Sequence, residues 1–489
     1  MIIKRKPEDL ANYLEDTSNI KGEASLLYLP KDKGEVSASI EQCCRKKIPF
    51  TVSSGRTGTT GGCVPGGGAI ISLENLNKII DIDKERQLIR LEAGITLEEL
   101  NKEINKFNLA LRASPTESLA FIGGAISTCA SGVRGFGYGS IRRYIEELEV
   151  ILTTGELITI RRGDIFSQSK GFDFEYKSRR FKFNIPSYQM PKVKSQAGYF
   201  IKPNMDLIDL FIGSEGTLGV ITSCVLNLQK IPFRLFDGLL FFSNESDALI
   251  FVDKIKALQR ERLLFAASLE FFDKNSLDML RQQYSFVPNF EAAVYFEQEA
   301  EDQKSYNSLI NKWQVLMEES GADIDKSIFA DTSRQREIIF EFRHKLPQMI
   351  NEFLRQNKQT KAATDISIPE NNFSKMHAFY NECAQKAKIR YVNFGHIGES
   401  HLHFNFLPQN DSQAHRARGY IADFCKRAVA LGGTVSAEHG IGKIKKPYLK
   451  IMYTESQIEQ MAGVKKYFDP PCLLGLDNIF KKEILFNLG

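Results

Sequence analysis

Residues 53–62 read SSGRTGTTGG, and Val64-Pro65-Gly66-Gly67-Gly68 follows almost at once. A loop with so few Cβ atoms lets many backbone N–H groups converge on one point, which is how such loops bind phosphate or pyrophosphate. The stretch is not a P-loop, because no GK[ST] follows at the required spacing, and it is not a GxGxxG fingerprint. Alone it is a weak indication, since glycine-rich turns are common.

Two further glycine clusters strengthen this indication. Residues 122–139 read IGGAISTCASGVRGFGYG, and residues 213–222 read GSEGTLGVIT just before a strand-like run. Three such clusters within one domain are hard to explain as separate turns. One large ligand that contacts all three along its length explains them together.

The surrounding sequence alternates short strands with a helix. Residues 69–73, 79–82, 87–92 and 145–160 have strand patterns. Thr96-Leu-Glu-Glu99 fits a capping box, with Leu97, Leu100, Ile104 and Phe107 at helical spacing behind it. The first part of the chain is therefore expected to mix sheet and helix.

A chain of 489 residues is too long for one hydrophobic core. Glycine thins out from about residue 233 and longer helical patterns begin, which places a domain boundary near Ile231-Pro232. The last 60 residues carry a glycine-rich motif and then a helical tail. We therefore expect an N-terminal domain at 1–232, a second domain at 233–430, and a C-terminal segment at 431–489 that packs back on the first.

Residues 161–197 are expected to form a long surface loop or insertion, because they combine many basic residues with several aromatic ones. One interpretation is a solvated loop. The other is a docking surface for an electron acceptor or an anionic membrane. The sequence alone leaves both open.

The composition excludes several classes of protein. The net charge of +4 is small for this length and predicts no nucleic-acid partner. The N-terminus lacks the apolar stretch of a secretory signal, and no window approaches 18 apolar residues, so a cytoplasmic protein without a transmembrane segment is expected. Peripheral contact with the inner face of a membrane, and a homodimer, remain open. The eight cysteines form no CxxC pair, which argues against iron–sulfur and cysteine-type zinc sites.

The three glycine clusters resemble the FAD-binding domain of the vanillyl-alcohol oxidase/p-cresol methylhydroxylase superfamily. The resemblance implies an α+β fold with a two-subdomain FAD-binding domain. It implies that Ser54, Gly55, Arg56, Thr57 and Gly58 hold the FAD pyrophosphate, and that Glu215, Gly216 and Ile221 lie near the adenine and ribose. The residues implied to line the flavin and ribityl chain are Pro115, Thr116, Gly123, Gly124, Ser131 and Gly132. Some members bind flavin covalently through a histidine in the first loop. Arg56 takes that position here and the first histidine is His344, so the FAD is expected to be non-covalent.

Four of the seven histidines lie between residues 396 and 439. His401, His403 and Asn405 alternate with apolar residues, so they project from one face of a strand. His396 precedes a probable turn that could fold it toward that face. Glu438 and His439 follow in a second cluster, SAEHGIGK at 436–443. Two or three histidines with a carboxylate can form a metal site with an open position for substrate.

This second pattern, GHxG[DE]xxxH followed by EHGIG, resembles the D-lactate, glycolate and D-2-hydroxyglutarate dehydrogenase group of the same superfamily. The resemblance implies a cap domain with an antiparallel sheet, with His396, His403 and Glu438 as ligands of a divalent metal, zinc or manganese. It implies His439 as catalytic base, Asn405 as a polar group facing substrate or flavin, and Arg343 as the anchor of the substrate carboxylate. His401 occupies a position where the family usually has asparagine, and it is either an additional ligand or a residue behind the ligands.

The implied function is an FAD-dependent dehydrogenase that oxidises a small D-2-hydroxy acid to the 2-keto acid, with hydride transfer to flavin N5. No NAD fingerprint and no built-in redox cluster are visible, so an external acceptor such as a quinone, a cytochrome or an electron-transfer flavoprotein is expected. Two alternatives remain. One is a non-redox flavin transferase resembling alkylglycerone-phosphate synthase, and the other is a catalytically silent subunit that binds FAD.

Overall fold

The computed structural model describes residues 1–113 and 115–487. The last two residues of the predicted C-terminal segment, 488 and 489, therefore lie outside the described residues. Helices and sheets are mixed throughout, which confirms the predicted α+β class.

The N-terminal domain contains short strands separated by glycine-rich turns. Its strands are β1 (Ile2–Lys4), β2 (Leu26–Leu29), β3 (Phe50–Ser53), β4 (Ala69–Ser72), β5 (Ile79–Asp83), β6 (Leu88–Glu92), β7 (Leu109–Ala110), β8 (Ile145–Ile151), β9 (Leu157–Arg161), β10 (Gly171–Tyr176), β11 (Arg179–Asn184), β12 (Val220–Asn227) and β13 (Gln229–Lys230). Its helices are α1 (Pro7–Leu10), α2 (Lys33–Lys46), α3 (Leu97–Ile104), α4 (Ile122–Ser127), α5 (Gly135–Tyr138) and α6 (Leu207–Phe211).

These strands form two main sheets. The first has the order β1-β2-β4-β3, in which β2, β4 and β3 run parallel. The second is antiparallel, with the order β5-β6-β12-β8-β9. The predicted strands at 69–73, 79–82, 87–92 and 145–160 are confirmed, and so is the capping box of Thr96 and Glu99 at the start of α3. The glycine clusters lie in the connections within and between the two sheets.

The prediction of a surface loop at 161–197 was wrong in part. The segment contains the hairpin β10-β11, whose Phe183 packs against Tyr467 and Phe468 of the C-terminal segment. Its last residues run inward, with Ser195 and Ala197 buried. Alternating aromatic residues in 171–184 bury one face of the hairpin, which is why a basic stretch of sequence is anchored to the core.

The cap domain is built on one large antiparallel sheet, which confirms the prediction. Its strands are β14 (Arg234–Phe242), β15 (Ala266–Asp273), β16 (Ala292–Ala300), β17 (Ala322–Ala330), β18 (Ala362–Ala363), β19 (Ile366–Ser367), β20 (Tyr391–Gly395) and β21 (His401–Phe406), in the order β17-β14-β16-β15-β20-β21-β18 with β19 also pairing with β21. Its helices are α7 (Glu245–Arg260), α8 (Lys274–Leu280), α9 (Gln303–Glu318), α10 (Ser333–Gln356), α11 (Phe373–Ala387) and α12 (Asp411–Ala430).

Helices cover both faces of this sheet. Phe251 of α7 and Trp313 of α9 belong to one buried cluster, and Leu277 of α8 and Phe342 of α10 belong to another. His377 is buried on α11, and its Nε2 lies 3.5 Å from Glu245 Oε1. A sheet with helices on both faces holds the ends of β15, β20 and β21 rigidly.

The C-terminal segment contains α13 (Lys446–Met452), α14 (Glu455–Phe468) and α15 (Lys482–Asn487). It joins the N-terminal domain through hydrogen bonds from Phe50 N to Leu473 O at 2.8 Å, from Lys443 N to Thr60 O at 2.8 Å and from Asn478 Nδ2 to Gly62 O at 3.0 Å. These bonds bring the loop at 436–443 against the first glycine cluster. Across the described residues, every helix is too short or too polar to cross a bilayer.

Candidate active site

A cavity of about 300 Å³ in the N-terminal domain extends to Glu438 and His439 of the C-terminal loop. All three glycine clusters line this cavity. With the exceptions of Gly55 and Arg56, the residues predicted to contact FAD face it: Ser54, Thr57, Gly58, Pro115, Thr116, Gly123, Gly124, Ser131, Gly132, Glu215, Gly216 and Ile221. One elongated ligand can therefore contact all three clusters and end beside His439.

The two exceptions shape the first loop. A Cβ on Gly55 would lie 2.7 Å from Leu119 O, so this position has room for glycine only. The guanidinium of Arg56 donates to Ser53 Oγ at 3.1 Å and to Ser54 O at 3.2 Å, and it stacks over the Tyr13 ring. The Arg56 side chain thus ties the loop to its own strand instead of facing the cavity.

The cavity fits FAD on two structural observations. Within the described residues, the backbone N–H groups of 55–59 donate no hydrogen bond to the chain, so they remain available to a phosphate. A Cβ on Gly124 would lie 2.8 Å from Ser54 Oγ, and one on Gly123 would lie 2.8 Å from the Ala93 side chain. Glycine at these two positions lets α4 pack close to Ser54 and Ala93, and it leaves this part of the cavity wall as bare backbone that a flat ring system can approach.

The histidine cluster forms at the turn between β20 and β21. His401 and His403 lie on β21 and point to the same face, as their alternation predicts. Gly395 ends β20 with a left-handed φ of +126°, and a Cβ there would lie 2.9 Å from the His403 ring. This tight reversal turns His396 toward the other two imidazoles.

Glu438 faces these imidazoles from the C-terminal loop. Its Oε1 lies 3.3 Å from His396 Nε2 and 3.4 Å from His403 Nε2. One donor atom from each of His396, His401, His403 and Glu438 lies within 4.8 Å of all the others. Imidazole nitrogens and a carboxylate oxygen are the donors that zinc and manganese bind, so the residues present fit a divalent metal.

The electrostatics of the cluster favour a bound cation. Burial lowers the pKa of His403 to about 4 and that of His401 to about 3, so both imidazoles are neutral, the form that binds metal. Burial acts in the same direction on His396, but the carboxylates of Glu270 and Glu438 outweigh it and raise its pKa to about 9. The environment of His396 thus stabilises positive charge.

Glu270 on β15 links this cluster to Arg343 on α10. Its Oε1 lies 2.5 Å from His396 Nδ1, and its Oε2 accepts a hydrogen bond from Arg343 Nε at 3.0 Å. Burial would raise the pKa of Glu270, but the charges of Arg343 and His396 hold it at about 2. Glu270 therefore fixes both the ring orientation of His396 and the position of Arg343.

Asp365 organises the loop that carries His439. It accepts hydrogen bonds from His439 N at 3.0 Å, from Ser436 Oγ at 2.8 Å and from Lys445 Nζ at 2.6 Å. Its Oδ2 also lies 3.5 Å from His439 Nδ1, while His439 Nε2 lies 3.4 Å from Glu438 Oε1. His439 thus stands between the cavity and the histidine cluster.

Lys194 binds the carboxylate oxygen of Glu438 that does not face the imidazoles. Its Nζ donates to Glu438 Oε2 at 2.9 Å and to Glu399 Oε2 at 2.7 Å. Burial would raise the pKa of Glu438, but Lys194 and His396 hold it well below its usual range. One oxygen of Glu438 is therefore paired with a lysine, and the other faces the imidazoles.

Asn405 lies outside the cavity. It is 1 % exposed, and its Nδ2 donates to His403 O at 2.8 Å. Asn405 lies on β21 itself, and its side chain contacts the backbone of His403 on the same strand instead of lining the cavity.

Sequence reasoning missed four residues of this site: Lys194, Glu270, Asp365 and Glu399. Glu399 lies within the motif that carries His396 and His403, whereas Asp365 lies outside both histidine motifs, just before β19. Glu270 interrupts the apolar strand AASLEFF at 266–272, and an isolated acid in such a strand is a usable signal. Lys194 is one lysine among many in 161–197, and its sequence context gives no signal.

Lys194→Met is expected to weaken metal binding about 10- to 100-fold, the usual effect of losing a residue that orients a ligand. The variant leaves Glu438 and Glu399 without their shared cation, which frees Glu438 to turn away from the imidazoles. Zinc affinity, measured by competition with a chelating dye, tests this. Lys192→Met removes an exposed lysine two residues away and is the matched control. Equal affinities in the two variants would contradict the role assigned to Lys194.

Comparison with known families agrees with this arrangement. Residues 24–161 match the FAD binding domain family, and residues 238–475 match the family of the C-terminal domain of FAD linked oxidases. The first match covers strands β2 to β9 and two of the three glycine clusters. The second covers the cap domain together with the loop that carries Glu438 and His439.

Curated relatives match along nearly the whole chain. A D-lactate dehydrogenase of Anaerostipes hadrus is 29% identical over 92% of this chain and 88% of its own. The glycolate oxidase subunit GlcD of Bacillus subtilis is 26% identical over 93% and 88%. A D-2-hydroxyglutarate dehydrogenase of Xanthomonas citri is 27% identical over 98% and 94%.

A solved structure shares the fold at lower identity. Alkyldihydroxyacetonephosphate synthase superimposes with a TM-score of 0.68 at 15% identity, over 97% of this chain and 82% of that one. This likeness concerns the fold alone. The chain therefore carries an FAD binding domain followed by an FAD-linked oxidase C-terminal domain, and it is similar along most of its length to enzymes named for D-lactate, glycolate and D-2-hydroxyglutarate.

Proposed function

We propose that the protein is an FAD-dependent dehydrogenase that oxidises a small D-2-hydroxy acid to the 2-keto acid. The observation that carries this proposal is the position of His439, which lines the flavin cavity and lies 3.4 Å from Glu438 of the histidine cluster. A base, a metal site and a flavin cavity thus meet at one point. Oxidation of a CH–OH group removes a proton from the hydroxyl oxygen and a hydride from the carbon. It therefore needs a proton acceptor and a hydride acceptor close to the same group.

Arg343 is the carboxylate anchor in this proposal. Its Nε is held by Glu270, and within the described residues its two Nη groups make no hydrogen bond to the chain. Its side chain is 13% exposed, so the free Nη groups lie in a largely desolvated place. A guanidinium fork of this kind binds a carboxylate with two hydrogen bonds.

His439 is the general base. In this proposal the neutral ring keeps its proton on Nδ1, which lies 3.5 Å from Asp365 Oδ2, and Nε2 provides the lone pair that accepts the hydroxyl proton. Burial would raise the pKa of Asp365, but Lys445, His439 and His401 hold it well below its usual range, so Asp365 remains an anion. It therefore orients the ring and stabilises the imidazolium that forms when Nε2 takes the hydroxyl proton.

The two bound groups supply what side chains cannot. FAD supplies a two-electron acceptor, and the residues that would hold it are those lining the cavity. A divalent metal supplies a Lewis acid that lowers the pKa of a hydroxyl group, and His396, His403 and Glu438 would hold it.

The printed names of the relatives support the substrate class. D-lactate, glycolate and D-2-hydroxyglutarate are all 2-hydroxy acids, and they share the half that would meet Arg343 and His439. The free cysteines are dispersed, and neither candidate metal group within the described residues contains one. In this proposal an external acceptor, such as a quinone, a cytochrome or an electron-transfer flavoprotein, takes the electrons.

The two alternative functions explain less of the site. The synthase likeness at 15% identity concerns the fold and not the chemistry. A silent FAD-binding subunit has no need for a buried histidine cluster with Arg343 and His439 beside it. The dehydrogenase uses each of these groups.

Anaerobic reduction of the flavin tests the proposal. The purified protein, saturated with FAD and zinc or manganese, is mixed in turn with D-lactate, glycolate and D-2-hydroxyglutarate while the visible flavin band is recorded. We expect at least one acid to bleach the band, and L-lactate to leave it unchanged. A flavin band that survives every hydroxy acid would overturn the proposal and favour the transferase or the silent subunit.

A further inference from the structure

His401 is a fully buried histidine without a hydrogen-bond partner. It is 0% exposed at the start of β21, and within the described residues neither Nδ1 nor Nε2 makes a hydrogen bond. Its Nε2 lies 3.0 Å from Asp365 Oδ1 but outside hydrogen-bonding geometry. A buried imidazole left unpaired in this way is costly unless another group completes it.

The three rings surround one point. Their centroids are 5.2 Å apart for His396 and His401, 4.5 Å for His401 and His403, and 5.4 Å for His396 and His403. Three imidazoles bound to one ion at about 2.1 Å have centroids about 4.5 to 5.5 Å apart, for coordination angles between about 90° and 120°. The triangle in this protein therefore has the size of a three-histidine metal site.

We infer that His401 is a third imidazole ligand of the metal, which makes the donor set three histidines and Glu438. This rests on the proposed function, which requires a metal at the same place, and it deepens that proposal.

The fourth protein ligand changes what remains open to substrate. A site with three ligands offers a free position at four-coordination, whereas a site with four must expand to admit the hydroxy acid. A donor set of three histidines and Glu438 would therefore suit an ion that readily accepts five or six ligands. Comparison of the His401→Asn variant with the original protein also shows how one imidazole ligand changes the preference between zinc and manganese.

A count of imidazole ligands tests the inference directly. The FAD-loaded protein is freed of metal, given one equivalent of zinc, and examined by X-ray absorption at the zinc edge. We expect three imidazoles in the original protein, two in His401→Asn, and three in His377→Asn, which alters another buried histidine. Affinity alone does not decide, because loss of an outer partner also weakens metal binding about 10- to 100-fold.

A count of two imidazoles in the original protein would overturn the inference, and His401 would then not be a ligand. This measurement uses the original protein alone, so it does not depend on whether a variant folds. An equal count in the original protein and in His401→Asn would overturn it as well. The proposed function can fail independently of this inference. If three imidazoles bind zinc but no hydroxy acid reduces the flavin, the three-histidine metal site stands and the proposed dehydrogenase activity does not.

Discussion

Replacement of His439 by alanine is expected to lower the rate at which a 2-hydroxy acid reduces the flavin by about 10²- to 10⁴-fold, the usual contribution of a general base. His439 Nε2 lies at the junction of the flavin cavity and the histidine cluster, and within the described residues no second imidazole lines that cavity. Stopped-flow absorbance of the flavin band under anaerobic conditions measures the rate.

The variant should keep both bound groups, because His439 contacts the cavity without closing it. FAD content and zinc content are therefore expected to match the original protein, which separates lost catalysis from lost binding. His415→Ala, which removes an exposed histidine on α12, is the control and should retain the full rate. A His439→Ala variant that reduces flavin as fast as His415→Ala would remove His439 from the mechanism.

Asp365 explains why a single histidine can carry this role. One carboxylate orders the backbone of the loop at 438–439, pairs with Lys445 and faces the His439 ring. The base is thus oriented by the same residue that fixes the loop beside the flavin cavity. Rotation of the ring away from the substrate would separate its Nδ1 from a carboxylate that the loop already holds in place.

The parts of this arrangement that depend on local sequence were predictable. Thr96 and Glu99 form their capping box because both partners lie in one turn of helix. His401 and His403 share a face because side chains alternate along a strand, and this alternation is independent of the rest of the fold. The glycine clusters also indicated one common ligand, since close backbone approach requires glycine wherever it occurs.

The parts that depend on distant contacts were not predictable from one chain. Lys194 and Glu438 are 244 residues apart, and they meet because the C-terminal segment packs back on the N-terminal domain. Arg56 lies in the loop predicted to hold the pyrophosphate, but its guanidinium donates a hydrogen bond to Ser53 instead of facing the cavity. His377 has an ordinary sequence context and is buried only because α11 packs against the cap sheet.

Glu438→Gln is expected to remove the metal and, with it, about 10²- to 10³-fold of the rate of flavin reduction, since a catalytic ion contributes several kcal/mol. Glutamine keeps the shape of the side chain but offers the imidazoles a neutral oxygen or an N–H group in place of a carboxylate. Metal analysis after dialysis and stopped-flow reduction measure the two effects. Treatment of the original protein with a chelator should reproduce both.

Glu399→Gln is the control that gives this prediction its force. Both carboxylates pair with Lys194, at 2.7 and 2.9 Å, so either change alters the charge around that lysine in the same way. Only Glu438 also faces His396 and His403, so only Glu438→Gln should lose the metal. If both variants lost metal equally, the loss would follow from the changed charge around Lys194 and not from the loss of Glu438 as a ligand. If both kept it, the imidazoles would suffice and Glu438 would not be a ligand.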